Sequence, residues 1–319
     1  MDSLVYSLNA TVPVFLIMVI GYALKKAGML NESFVNVCNR FNFMVTLPVL
    51  LFKDVSSTDI LHGFDLKYVL FCMGATSAAF WGIWGLSELL IKDKTIIGAF
   101  VQACYRSSAA VLGTAFIMNI YGSVGMTPLM IIGSVPLFNV YAVIVLTFGA
   151  DRDKPAEDKK NTEAIKRSAL GIIKNPIIIS IFAGIISSLL GIKYPVIIDK
   201  TLSSLAALAS PLALIAIGAG FEFSAAKEKV APAAAASFIK LLVLPAVFLP
   251  IAVYLGFTTE KLAALIIMLG SPTTASSYIM AKNMKNDGVL TSCTIMMTTL
   301  FSALTLTLWI FLARYMGLM

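Results

Sequence analysis

The sequence predicts an all-α polytopic membrane protein: ten transmembrane helices forming two inverted five-helix repeats, with spans 4 and 9 broken where they cross. Three observations predict it. Of 319 residues, 59% are hydrophobic and 13% charged, roughly half the charge fraction of an ordinary soluble domain. The apolar residues fall in blocks of about 20, the length that crosses a hydrocarbon core of about 30 Å. Two of those blocks carry polar inserts where a simple spanning helix would continue with Leu, Ile and Val. A transmembrane barrel would need alternating segments of about ten residues, and the chain has none.

The spans read in order as 5–24, 33–52, 66–91, 95–118, 126–148, 174–192, 197–221, 231–255, 261–282 and 288–313. The first lacks a basic flank and a small-residue cleavage site, so it reads as a retained helix rather than a signal peptide. Lys and Arg bias sets the orientation. Placing both termini outside puts Lys25, Lys26, Lys92, Lys94, Lys227, Lys229, Lys282, Lys285 and the basic residues of 149–173 on the cytoplasmic side. Lys53, Lys67, Lys193, Lys200, Lys261 and Arg314 then face outward. The expected location is the plasma (inner) membrane. The net charge of +7 follows from these loops and implies no nucleic-acid partner.

Segment 150–173, with Asp151, Asp153, Glu157, Asp158 and Glu163 among its bases, reads as a solvated cytoplasmic linker. It divides the chain into repeats at 1–149 and 174–319. Both halves carry a proline late in their second helix, Pro48 and Pro211, read as structural breaks. Both interrupt their fourth helix, at Arg106-Ser107-Ser108 and at Gly270-Ser271-Pro272-Thr273-Thr274. A constant offset lays Arg106 on Ser271 and Gly122 on Asp287. An odd number of spans per half inverts the repeats, the pattern of secondary transporters that hold substrate near the midplane.

Candidate chemistry concentrates in those interruptions. A charge at the depth of Arg106 costs about 2.5–3.5 kcal/mol on insertion scales, so it faces a cavity or a partner. No carboxylate lies at matching depth, because Glu88 and Glu222 fall near span ends. Guanidinium forks bind carboxylates bidentately, so Arg106 is a candidate anion ligand; capping its own helix break is the alternative. Ser271, Thr273, Thr274, Ser276 and Ser277 supply hydroxyls around Pro272. Pro272 also frees a carbonyl one turn earlier, where a coupling cation could sit. Ser107, Ser108 and Gly113 form the counterpart set, and Asn139, beside Pro136, is placed to reach span 4. Arg40 reads as a snorkelling cation, and Lys240 receives no role.

Other chemistry finds no support. Cys38, Cys72, Cys104 and Cys293 lack metal-ligand spacing, and the lone His62 sits in a polar connection. No nucleophile–base pair can be named, so an enzyme is not expected. No cofactor is called for, while coupling to Na⁺ or H⁺ stays open. A channel would need a repeated filter motif, and a receptor an output domain.

The ordered motifs resemble the auxin efflux carrier family, whose plant branch is the PIN proteins and whose bacterial branch includes malate and malonate permeases. Asn39-Arg40-Phe41 with Pro48 and Phe52, Arg106-Ser107-Ser108…Gly113 and Pro136-Leu137-Phe138-Asn139 carry the likeness in the first half. Pro211-Leu212-Ala213-Leu214-Ile215-Ala216-Ile217-Gly218 and Ser271-Pro272-Thr273…Ala281-Lys282 carry it in the second. The resemblance implies a PIN/NhaA/bile-acid-symporter-like fold, a small organic anion held at the crossing, elevator-type alternating access and a homodimer. Na⁺-coupled carriage of amino acids or bile-acid-like anions, or an anion channel, is the alternative. Three positions depart from the family: Ser108 replaces an Asn, Gly113-Thr114-Ala115 lacks a proline, and Ser277 replaces a second one. These departures predict a less sharply broken crossing and disfavour auxin as substrate.

Overall fold

The computed structural model describes residues 2–57, 65–109, 117, 120–121, 125–150 and 170–319, with side chains from residue 12 onward, Phe223 excepted. His62, Gly113, Gly122 and linker residues 151–169 therefore lie outside the described residues. Everything regular that is described is helix, and no strand occurs among the described residues.

The helices are α1 (Asp2–Lys26), α2 (Glu32–Ser56), α3 (Leu66–Leu90), α4 (Ile97–Tyr105), α5 (Thr127–Ala150), α6 (Pro176–Leu189), α7 (Val196–Ala219), α8 (Ser224–Tyr254), α9 (Thr259–Gly270), α10 (Ser276–Asn283) and α11 (Gly288–Tyr315). Among the described residues, six are long and apolar enough to cross a membrane: α2, α3, α5, α7, α8 and α11. Polar caps set several starts. Asn31, Asp65, Asn175 and Asp287 each accept a backbone N–H of the first turn at 2.8–3.0 Å, satisfying donors that a helix start leaves open. Pro176 follows Asn175 at the first helical position, where its missing N–H costs nothing.

Prolines act less drastically than the sequence suggests. Pro48 and Pro211 end no helix: α2 runs on past Pro48, and α7 continues through Pro211. A proline deletes one backbone bond, and neighbouring groups or a local change of pitch can absorb the loss in a membrane helix. Two π turns show that change of pitch. Asn42–Thr46 precedes Pro48, and Ile239–Val243 precedes Pro245. Widening the turn relieves the clash of a proline ring with the carbonyl four residues earlier. For Pro245 that carbonyl belongs to Leu241, and the Trp309 indole N–H donates to it at 3.0 Å.

α1 lies against α7 at backbone contact. A Cβ on Gly218 would stand 1.9 Å from the Met18 carbonyl oxygen, and one on Gly21 2.5 Å from that of Ile215. Small residues allow such approach where lipid gives no hydrophobic drive between helices. Around this pair, α2 packs on α6 and α7, while α3, α4 and α5 pack on one another. The interrupted helices α4 and α9–α10 lie inside, with every residue of α4 buried. Gly218→Ala should therefore destabilise the protein by about 1–3 kcal/mol through overpacking. Thermal unfolding in detergent will show it as a lowered midpoint, with Gly82→Ala in α3, where an added Cβ meets nothing within 4 Å, as the comparison.

Candidate functional site

α4 stops at Tyr105, and α9 stops at Gly270. Arg106 takes φ −71° and ψ 144°, and Ser271 takes φ −73° and ψ 158°. The two positions matched by the sequence offset thus turn out of their helices in the same extended conformation. Non-helical backbone covers Arg106–Ser108 on one side and Ser271–Thr274 on the other. Both segments are thus interrupted, although Ser277 stands where the family has a second proline. Pro272, which lacks an N–H, and the pairing of the two breaks supply the reason. The Ser108 N–H donates to the Pro272 carbonyl at 3.0 Å.

Each helix end leaves carbonyls without a partner, and both ends are buried inside the protein. Each interrupted segment supplies what the other lacks. Thr273 Oγ1 donates to the Ala103 carbonyl of α4 at 2.7 Å. Gln102 Nε2 donates to the Ser277 carbonyl at 3.0 Å. Ser107 Oγ donates to the Met268 carbonyl of α9. Lys240 Nζ, from the π turn of α8, donates to the Leu269 carbonyl at 2.6 Å and also to Ser107 Oγ. The carbonyl freed by Pro272 is thus held within the protein.

Arg106 is 2% exposed. Its Nη2 donates to Asn139 Oδ1 at 2.8 Å and Ser276 Oγ at 2.9 Å, and its Nη1 lies 3.0 Å from Met280 Sδ. Its Nε has no partner among the described residues, and none of the ion pairs found there includes Arg106. Asn139 anchors its other end, donating from Nδ2 to the Val135 carbonyl at 2.9 Å. That carbonyl lies next to Pro136 in sequence.

A cavity of about 120 Å³ opens beside the guanidinium. Of the sequence candidates, Arg106, Ser107, Ser108, Asn139, Pro272, Thr273, Thr274 and Ser276 line it. Ser271 and Ser277 are buried behind the wall, and their hydroxyls lack partners among the described residues. Gly270 closes α9, where a Cβ would meet Pro245 at 3.3 Å.

Further polar residues reach the wall: Asn42, Asp54, Ser210 and Thr299. Asn42 sits in the α2 π turn, oriented by donation to the Ala209 carbonyl at 2.8 Å and by the Thr46 hydroxyl. Asp54 lies beyond the expected end of span 2, so sequence reading placed it outside. The π turns were the missed signal, because a polar side chain five or six residues before Pro48 or Pro245 falls in the widened turn. All four cysteines are buried and free. No cluster of metal-ligating side chains occurs among the described residues.

Paired interrupted helices around a largely apolar cavity with a few convergent polar groups are the arrangement expected of a membrane transporter. The family described as membrane transport protein matches residues 6–310. The chain belongs to that family, the auxin efflux carrier-like group its motifs resemble. It is 25% identical over 308 residues to an uncharacterized transporter of Methanothermobacter thermautotrophicus, covering 95% of this chain and 97% of that protein. It is 25% identical over 287 residues to a putative malonate transporter of Rhizobium meliloti, covering 86% of each. Similarity to the uncharacterized transporter YfdV of Escherichia coli reaches 23% over 315 residues, 98% of this chain and 99% of that protein. The protein is a transporter and not an enzyme.

Thr273→Val keeps the side-chain shape and removes the donor to Ala103. An orphaned buried carbonyl costs about 1–3 kcal/mol. The unfolding midpoint should fall for Thr273→Val and hold for Thr273→Ser.

Proposed function

We propose that this protein is a secondary carrier of small organic anions bearing a carboxylate, with malonate and malate as the expected size class. One observation carries the reading. A buried guanidinium without a carboxylate partner among the described residues lines a cavity of about 120 Å³. The Asp54 carboxyl lines the same cavity, but no ion pair among the described residues joins it to Arg106, whose open side is read as the place of the substrate's carboxylate. Asn139 and Ser276 orient the fork, and Thr274 and Thr299 offer hydroxyls to the rest of the anion. The similarity to a putative malonate transporter supports the same substrate class.

Alternating access by an elevator-type movement goes with this reading. Two inverted repeats, 1–149 and 174–319, would contribute to a moving transport domain and a fixed scaffold, and the crossing would carry the anion. The matched conformations of Arg106 and Ser271 support such a repeat. Both termini outside and assembly as a homodimer in the plasma membrane complete the proposal.

The test is counterflow of labelled malonate into proteoliposomes. The wild type should show saturable exchange, competed by other small carboxylates. Arg106→Gln should raise the half-saturating concentration by about tenfold or more, the loss expected for a charge-assisted bidentate contact, and Arg106→Lys should recover part of it. Unchanged affinity and rate in Arg106→Gln would remove this residue from the mechanism.

A further inference from the structure

Pro272 and the end of α9 leave the Met268 and Leu269 carbonyls without helical partners, the kind of oxygen pair that binds a small cation. An ammonium already stands there. Lys240 is 0% exposed, and its Nζ donates to the Leu269 carbonyl at 2.6 Å and lies 3.4 Å from the Met268 carbonyl. Its third contact is Ser107 Oγ, on the opposite break. No ion pair among the described residues includes Lys240. Its ligands are therefore oxygens of carbonyls and a hydroxyl, which is a donor set for a hard cation rather than for a salt bridge.

The position also has an electrostatic logic. The C-terminal end of α9 carries about half a negative charge, buried where no water screens it. A cation at that end offsets it, and one carried on a side chain needs no supply from solution. The π turn makes this possible by re-aiming Lys240 within α8, and Trp309 holds the Leu241 carbonyl that the same turn releases. Ser107, bonded to Lys240, lines the cavity beside Arg106. The ammonium thus acts on the anion through Ser107 and the α9 end, as a positioning residue.

We propose that Lys240 is a tethered cation occupying the place of a coupling metal ion at the helix crossing, so that the anion is bound without Na⁺. The part concerning the anion rests on the carboxylate-carrier reading; the part concerning the cation does not. Na⁺ and the ammonium cannot share these oxygens, so a site already filled from within leaves Na⁺ no differential affinity.

Two measurements on the purified full-length protein test it: unfolding midpoints and malonate affinity, each in NaCl and in N-methylglucamine chloride at equal ionic strength. Both should be the same in the two salts for the wild type. Lys240→Ala should lower the midpoint and weaken malonate binding about tenfold, the scale of a buried cation at a helix end. Methylammonium or Na⁺ should restore both, and Lys240→Arg should retain wild-type binding. Stabilisation of the wild type by Na⁺ over N-methylglucamine would overturn the proposal, and that arm stands even if Lys240→Ala does not fold. A Lys240→Ala protein that matches the wild type without added cation would overturn it as well. Absence of malonate binding to the wild type, with cation rescue of the Lys240→Ala midpoint intact, would sink the carboxylate reading and support the cation assignment.

Discussion

Two helices that stop inside the protein leave buried carbonyl groups without helical partners, and the interior is organised to satisfy them. Each unsatisfied group would cost several kcal/mol in that setting. The solution is reciprocal. Thr273 caps the end of α4, Ser107 and Lys240 cap the end of α9, and Ser108 and Pro272 join the two breaks through the backbone. Each interruption therefore takes hydrogen bonds from the other. Hydroxyls are suited to this because one oxygen both donates and accepts. Ser107 uses both capacities, receiving from Lys240 and giving to Met268.

The same constraint explains the charges. Helix C-termini are negative ends, and two of them meet here. Arg106 and Lys240 bring positive charge to the same place but are bound differently. Lys240 is enclosed by oxygens of the α9 end and by Ser107. Arg106 keeps Nε without a partner among the described residues and borders the cavity. One cation holds the crossing together, and the other faces the space where a ligand fits. That division leaves the guanidinium of Arg106 facing the cavity of the proposed anion, while Lys240 serves the α9 end.

Much of this was legible in the sequence, for physical reasons that particular residues show. Arg106 and Pro272 were conspicuous because lipid penalises a charge and a missing donor equally plainly. The offset pairing Arg106 with Ser271 anticipated two matching helix ends. Polar starts such as Asp65 and Asp287 marked helix boundaries. Lys240 stayed illegible because its meaning depends on carbonyls from a different helix. Asn42 and Asp54 were obscured by a π turn and a helix extension that no hydrophobic count detects. Pro48 and Pro211 looked like breaks because one-dimensional reading sees the lost bond and not the neighbours that absorb it. The proline missing at Ser277 misled in the other direction, since α9 still ends at Gly270 and the Ser108 N–H pairs with the Pro272 carbonyl.

The central claim is that a carboxylate occupies the cavity beside Arg106. The most direct measurement is an anomalous difference map from crystals grown with a bromine-labelled dicarboxylate. The account predicts a bromine peak inside the cavity bounded by Arg106, Asn139 and Ser276, absent from crystals of Arg106→Gln. A peak elsewhere in the protein, or an undiminished peak in Arg106→Gln, would contradict it.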